Sequence, residues 1–135
     1  LGLPLIVVEK GSQERKLKSI AKRNIKFIGE LTDAKLADYY RRCTALIFPQ
    51  EEDFGIVAVE AQAAGAPIIA FKGGGVLDIV IVGSTGVFFN RQTAGDLVKA
   101  VKKFKTIKFN ENLIRANARK FSKDRFKREF LNLTK

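Results

Sequence analysis

Two carboxylates eight residues apart, Glu52 and Glu60, flank a Phe54-Gly55 step. That step reads as the entry to a helix. The unpaired N–H groups of a helix start, here from about Gly55 to Val57, form a site for an anion such as a diphosphate. Gly55 lets the backbone come close to a ligand. A carboxylate accepts hydrogen bonds from the paired hydroxyls of a ribose or a hexose. Two of them straddling a phosphate site would hold both sugars of a sugar nucleotide. By spacing alone the plainer reading is the stronger: Glu52 solubilises a loop and Glu60 sits on a helix face.

The helix of Glu60 is crowded with small residues: Ile56-Val57-Ala58-Val59-Glu60-Ala61-Gln62-Ala63-Ala64. Its alanines suit tight packing on a sheet. A carboxylate there is harder to explain as packing, because buried charge is costly unless paired. A second loop, Lys72-Gly73-Gly74-Gly75, follows the next apolar run. Its glycines permit close approach to a ligand, and a tight turn explains them equally well. Lys72 can neutralise phosphate or simply face water.

These residues need a scaffold, and the apolar runs supply one. Strands are expected at Leu5 to Val8, Ile25 to Ile28, Ala45 to Phe48, Pro67 to Phe71 and Val87 to Phe89. Each is a short continuous apolar run, as in a parallel sheet covered on both faces. Between them lie helical patterns. One runs from Ser12 to about Arg23, and one from a Thr32 or Asp33 cap to about Cys43. Others span Gly55 to Ala64 and Val76 to Val80. A helix is expected from Thr93 to about Lys105, and Asn110 and Ser122 are expected to cap two further closing helices. Leu97, Val98, Val101 and Phe104 share one side, as do Phe126, Phe130 and Leu133 further on. The order is that of an α/β fold with a Rossmann-like open parallel sheet and helices on both faces. In such folds ligands bind outside the carboxyl ends of the strands. Loops 49–55, 72–75 and 81–86 are expected at those ends.

The chain of 135 residues suits one domain, residues 1–135, with C-terminal helices from about 93. With no histidine and one cysteine, Cys43, it can build neither a zinc site nor a histidine-based triad. Cys43 reads as a core cysteine at a helix end. No apolar run reaches the roughly 18–20 residues that cross a bilayer. Residues 99–135 hold 13 Lys/Arg against 3 Asp/Glu, so +10 of the net +11 sits in the closing helices. Such a face attracts anionic lipid or nucleic acid. The alternative function is therefore a basic, non-catalytic module docking through these helices. It predicts binding that collapses with salt and survives Glu60→Ala.

The run Phe48-Pro49-Gln50-Glu51-Glu52-Asp53-Phe54-Gly55, then Glu60-Ala61-Gln62-Ala63-Ala64-Gly65-Ala66-Pro67-Ile68-Ile69-Ala70, then Gly74-Gly75, resembles the family-four retaining glycosyltransferases of the GT-B fold. Gly29, the Thr32-Asp33 helix start, Gly83-Ser84-Thr85-Gly86 and the phenylalanines from Phe121 extend the likeness over nearly the whole chain. The resemblance implies the C-terminal, donor-binding half of that fold. It implies a hexosyltransferase that moves a sugar from a GDP- or UDP-hexose to an acceptor hydroxyl with retention, and no cofactor or metal. Glu52, given the catalytic place, would hold hydroxyls of the transferred sugar. Asp53, Phe54 and Gly55 would offer backbone groups to it, and Gly74 and Gly75 are counted among the donor-binding residues. The Ile56 and Val57 amides would meet the diphosphate, Glu60 the ribose, and Glu30 and Leu31 the base. The wording of the motif leans toward a mannosyltransferase using GDP-mannose.

The same resemblance implies an acceptor glycan or lipid-linked saccharide and a cytoplasmic protein, peripheral at the inner face of the membrane. Nucleic acid is not an expected partner. Leu3 to Val8 looks like that family's second strand, so the first βα unit, with its diphosphate-clamping Arg and Lys, and the N-terminal acceptor domain are expected to be missing. This segment alone is then expected to turn over no donor. Two departures stand out: Glu9-Lys10-Gly11-Ser12 replaces a Gly-x-Gly turn, and Asp78 stands where Glu is usual.

Overall fold

The computed structural model describes residues 3–8, 23–29 and 31–121. Five strands are present: β1 (Leu5–Val8), β2 (Ile25–Ile28), β3 (Leu46–Phe48), β4 (Ile68–Phe71) and β5 (Gly86–Phe89). The described helices are α1 (Asp33–Arg42), α2 (Ile56–Ala63), α3 (Val76–Ile79), α4 (Ala94–Lys105) and α5 (Glu111–Arg119). Every expected element within the described residues forms, with ends moved by a residue or two. The helices expected from Ser12 and from Ser122, with Phe126, Phe130 and Leu133, lie outside the described residues, as does the Glu9-to-Ser12 turn.

The chain divides into two compact units, Leu1–Leu36 and Ala37–Lys135. In the first, β1 and β2 form a parallel pair with Leu5 opposite Ile25 and Val7 opposite Phe27. In the second, β3, β4 and β5 form a parallel sheet in that order. Parallel pairing throughout agrees with the α/β reading, and crossover helices are what parallel neighbours require.

Register explains how the second sheet is covered. Ile47, Ile69 and Val87 lie in one row across it, and Phe71 pairs with Phe89 in another. These side chains meet Ala100, Val101 and Phe104 of α4 in one core cluster. Residues alternate faces along a strand. Ile68 and Ala70 therefore point the other way, and both are fully buried. On that side α2 rests against β3 and β4, and α5 packs along α2. Helices on both faces make every β4 position from Ile68 to Ala70 inaccessible. Burying an isoleucine such as Ile68 contributes roughly 1.5–3 kcal/mol.

The helix starts fall into two kinds. Thr32 caps α1, its hydroxyl accepting from the Lys35 N–H at 3.3 Å. Thr93 caps α4 by accepting from Asp96 N–H at 3.2 Å. Asn110 caps α5, accepting from Asn112 N–H at 2.9 Å and Leu113 N–H at 3.3 Å. No side chain caps α2 or α3.

Candidate functional site

The uncapped start of α2 is the centre of the predicted site. Gly55 precedes it with φ 60° and ψ 39°, the left-handed conformation that L side chains resist. A Cβ there would also come within 2.9 Å of Ile79 Cδ1. The turn therefore demands glycine both for its dihedral angles and for its packing on α3. Beyond it, Ile56 is 57% exposed and Val57 half-buried. The helix start is therefore open to solvent on the Ile56 side, while Gly55 just before it and Ala58 beyond Val57 are buried.

The two loops expected to face a ligand also face each other. Gly75 N–H donates to the Glu52 main-chain oxygen at 2.6 Å. A Cβ on Gly74 would collide with that same Glu52 oxygen, and one on Gly75 would stand 2.5 Å from the Asp53 carbonyl oxygen. A Cβ on Gly73 would lie 3.2 Å from the Glu51 carboxylate. So Gly74 and Gly75 serve close backbone contact with the 51–54 loop, and Gly73 packs on the side chains of Phe71 and Glu51. Of the two readings the sequence leaves open for these glycines, close approach to a ligand or a tight turn, the contact found is with the chain's own backbone. What remains for a ligand is the outer side, where Glu51, Glu52, Asp53 and Phe54 are all exposed. Gln50 Nε2 donates to Glu52 Oε1 at 3.3 Å, so the Glu52 carboxylate is lightly held by its own loop.

Glu60 lies on the exposed side of α2, in helical step with Ile56 and Ala63. The cost of burying a charge therefore does not apply to Glu60, which is solvated on the helix face. The buried polar residue of this helix is Gln62, which shares a face with Ala58 and Ala61. Spacing alone could have placed Gln62 on that face, since 58, 61 and 62 are one helical turn apart. Its partner, Asn117 of α5, is 55 residues away and had no sequence signal.

One loop was misassigned. Residues 81–86 lead into the amino end of β5, which begins at Gly86. They therefore belong at the edge of the sheet opposite 49–55 and 72–75. Thr85 closes that turn, its hydroxyl accepting from Ile81 N–H at 2.8 Å. The third carboxyl-end loop is 90–93 instead. It reaches the first through Gln92 Nε2, which donates to the Pro49 carbonyl oxygen at 2.9 Å.

Structure thus brings together Glu52, Asp53, Phe54, Gly55, Gly74 and Gly75, with Ile56, Val57 and Glu60 following along one helix. Leu31 is half-buried in the first unit, and Glu30 lies outside the described residues. Lys72 and Asp78 are exposed. A shallow groove lined by Phe88, Asn90, Asp96, Lys99 and Lys103 contains none of the predicted residues. Cys43 is half-buried just past α1 rather than fully in a core. Its thiol donates to the Tyr40 carbonyl oxygen at 3.2 Å, and burial pushes its pKa above the usual value. A thiol held protonated is a poor nucleophile. Among the described residues no group of three or more His, Cys, Asp or Glu is arranged to hold a metal ion, and no helix is long and apolar enough to cross a membrane.

The chain is similar to known proteins over most of its length. The family model described as Glycosyl transferases group 1 matches residues 2–121. A D-inositol 3-phosphate glycosyltransferase of Catenulispora acidiphila is 36% identical over 78 residues, 57% of this chain and 18% of that protein. The chain thus spans about a fifth of the length of that curated relative. Among solved structures, the apo form of the lipopolysaccharide outer core galactosyltransferase WaaB superposes with a TM-score of 0.81 at 18% identity, covering 96% of this chain and 39% of that one. The Anabaena protein HepE, solved with UDP-glucose, superposes with a TM-score of 0.63 at 21% identity, covering 91% of this chain and 36% of that one. At these identities the structural likeness establishes the shared fold.

Proposed function

The chain belongs to the group 1 glycosyl transferases, and from that premise we propose that it is the donor-binding domain, residues 1–135, of a retaining hexosyltransferase. The observation that carries this reading is the open start of α2. Among the described residues it is an eight-residue helix that no side chain caps, and it emerges beside two interlocked loops with exposed carboxylates on either side. A diphosphate placed there meets the Ile56 and Val57 N–H groups and the positive end of the helix dipole. As the bond to the sugar breaks, negative charge grows on the departing diphosphate. Fixed backbone dipoles stabilise that charge without having to reorganise. Glu52 accepts hydrogen bonds from the transferred hexose and takes the catalytic place by orienting it. Asp53, Phe54, Gly55, Gly74 and Gly75 form the wall around that sugar. Glu60 accepts from the ribose hydroxyls, and Glu30 and Leu31 are the candidates that the resemblance assigns to the base.

The donor is a nucleoside diphosphate hexose. The HepE complex with UDP-glucose makes a uridine donor one arm of the test. The motif from Glu51 to Val57 favours GDP-mannose as the other. The acceptor is a glycan or a lipid-linked saccharide. The +10 carried by residues 99–135 suits contact with anionic headgroups at the cytoplasmic face of the membrane.

The test titrates the full-length protein with GDP-mannose, UDP-glucose and other nucleotide sugars, wild type against Glu60→Ala. Losing a charged acceptor for the ribose hydroxyls costs about 1.5–3 kcal/mol, so affinity for the preferred donor falls roughly 10- to 100-fold. Equal affinity in both proteins for every donor tried rules the assignment out. UDP-glucose bound more tightly than GDP-mannose would keep the donor site and remove the mannosyltransferase reading.

A further inference from the structure

Behind the open helix start lies a buried amide that holds three helices at once. Asn117 of α5 is 5% exposed and Gln62 of α2 is inaccessible. The Asn117 Nδ2 carries two hydrogens. It donates to Gln62 Oε1 at 2.8 Å and to the Ile79 carbonyl oxygen at 2.6 Å. Ile79 ends α3, so this carbonyl is one of those that a helix terminus leaves without an intrahelical partner.

The connection does not pay for itself in stability. Gln62 Nε2 is buried and has no hydrogen-bond partner. A buried network with an unsatisfied member is worse for stability than an apolar contact of the same shape. Apolar packing is already available here, since Ile114 and Ala118 of α5 are buried. Such contacts attract without fixing direction, whereas two hydrogen bonds from one nitrogen define how far α2 and α3 are rotated and staggered.

We propose that Asn117 is a positioning residue for the donor site, setting α2 and α3 against each other through Gln62 and the Ile79 carbonyl. The proposal rests on the donor-site reading given above. α2 begins at the 51–55 loop and α3 at the 73–75 loop, the two loops that form that site. Their mutual fit is tight, since Gly75 N–H reaches Glu52 O at 2.6 Å and Gly55 abuts Ile79 and Val76. A small slide of one helix along the other breaks that fit and shifts Glu52 relative to the amides of Ile56 and Val57.

The experiment compares full-length wild type, Asn117→Leu, and the pair Gln62→Leu with Asn117→Leu. The single change strands the Gln62 amide and lowers Tm. The pair removes both buried amides and recovers most of that loss. At recovered stability the donor KM is expected to rise about tenfold with the acceptor KM unchanged, since misplacement by an ångström costs up to roughly a hundredfold. Independently of any donor, amide exchange at Gly75 is expected to accelerate. A paired variant with wild-type donor KM and wild-type Gly75 exchange overturns the proposal. Should the pair not fold, Gln62→Leu alone serves, because it removes the unpartnered donor and keeps the bond to Ile79. A raised donor KM supports the proposal and an unchanged one overturns it. Faster Gly75 exchange in a protein whose wild type binds no nucleotide sugar would uphold the positioning of the loops and sink the donor site instead.

Discussion

Replacing single glycines by alanine separates backbone strain from steric overlap at the place where the two loops meet. Gly83 has φ +82° and no atom within 4 Å of a built Cβ, so alanine there meets strain alone. Gly75 has no left-handed φ, but its Cβ would stand 2.5 Å from the Asp53 oxygen, so alanine there meets overlap alone. Gly74 has φ +72°, and its Cβ would collide with the Glu52 oxygen and lie 3.0 Å from the Glu52 nitrogen, so it meets both. Left-handed strain costs about 1–2 kcal/mol for an L residue. Forcing atoms into packed, rigid surroundings costs about 1–3 kcal/mol. Gly83→Ala should therefore lose the first amount, Gly75→Ala the second, and Gly74→Ala the sum of about 2–5 kcal/mol. Set against a typical total of about 5–15 kcal/mol, the last change is severe. Urea midpoints at constant slope read these differences directly. Gly74→Ala should also weaken donor binding, because the Gly75-to-Glu52 hydrogen bond lies on the same contact. If Gly74→Ala costs no more than Gly83→Ala, the 73–75 and 51–54 loops do not touch, and the site described above is not assembled.

A fourth glycine should behave in the opposite sense. Gly95 sits in the first turn of α4 with nothing within 4 Å of a built Cβ and no positive φ, so Gly95→Ala should raise stability by about 0.5–1 kcal/mol in the same unfolding assay. Cys43 gives a pH signature. Its folded pKa is raised above 9.0 by desolvation, so its contribution is complete below the unfolded value and is lost as pH rises through the folded one. Cys43→Ala should flatten the alkaline fall in stability, and native Cys43 should alkylate more slowly at pH 8 than the same thiol in urea.

The elements were legible where one local rule decides. Thr93 and Asn110 announce helix starts because their oxygens meet backbone N–H groups two or three residues on, and the same bonds appear in the structure. The β4 run from Ile68 to Ala70 announced a strand covered on both faces, and its inaccessibility matches. The site was only partly legible. Motif spacing put Glu52 and Glu60 at either side of a helix start, but the reason offered for Glu60 was burial, and it is exposed. The glycines after Lys72 suit a ligand or a tight turn alike, because a sequence does not say which backbone comes close; here it is that of Glu52 and Asp53. Loop 81–86 was placed at the wrong end of the sheet, although strand-helix-strand order alone sends the segment after α3 to the amino end of β5. The Gln62–Asn117 pairing spans 55 positions, and no local pattern reports a contact of that range.

At the donor site the decisive contact is the one made by the diphosphate. Residue-resolved amide shifts in the full-length protein, followed while UDP and GDP are added in turn, locate that contact without reference to sugar or acceptor. The largest changes are expected at Gly55, Ile56 and Val57 for at least one nucleotide, and they should persist at high salt. Changes confined to the basic stretch from Lys99 to Lys120, fading as salt is raised, would contradict it.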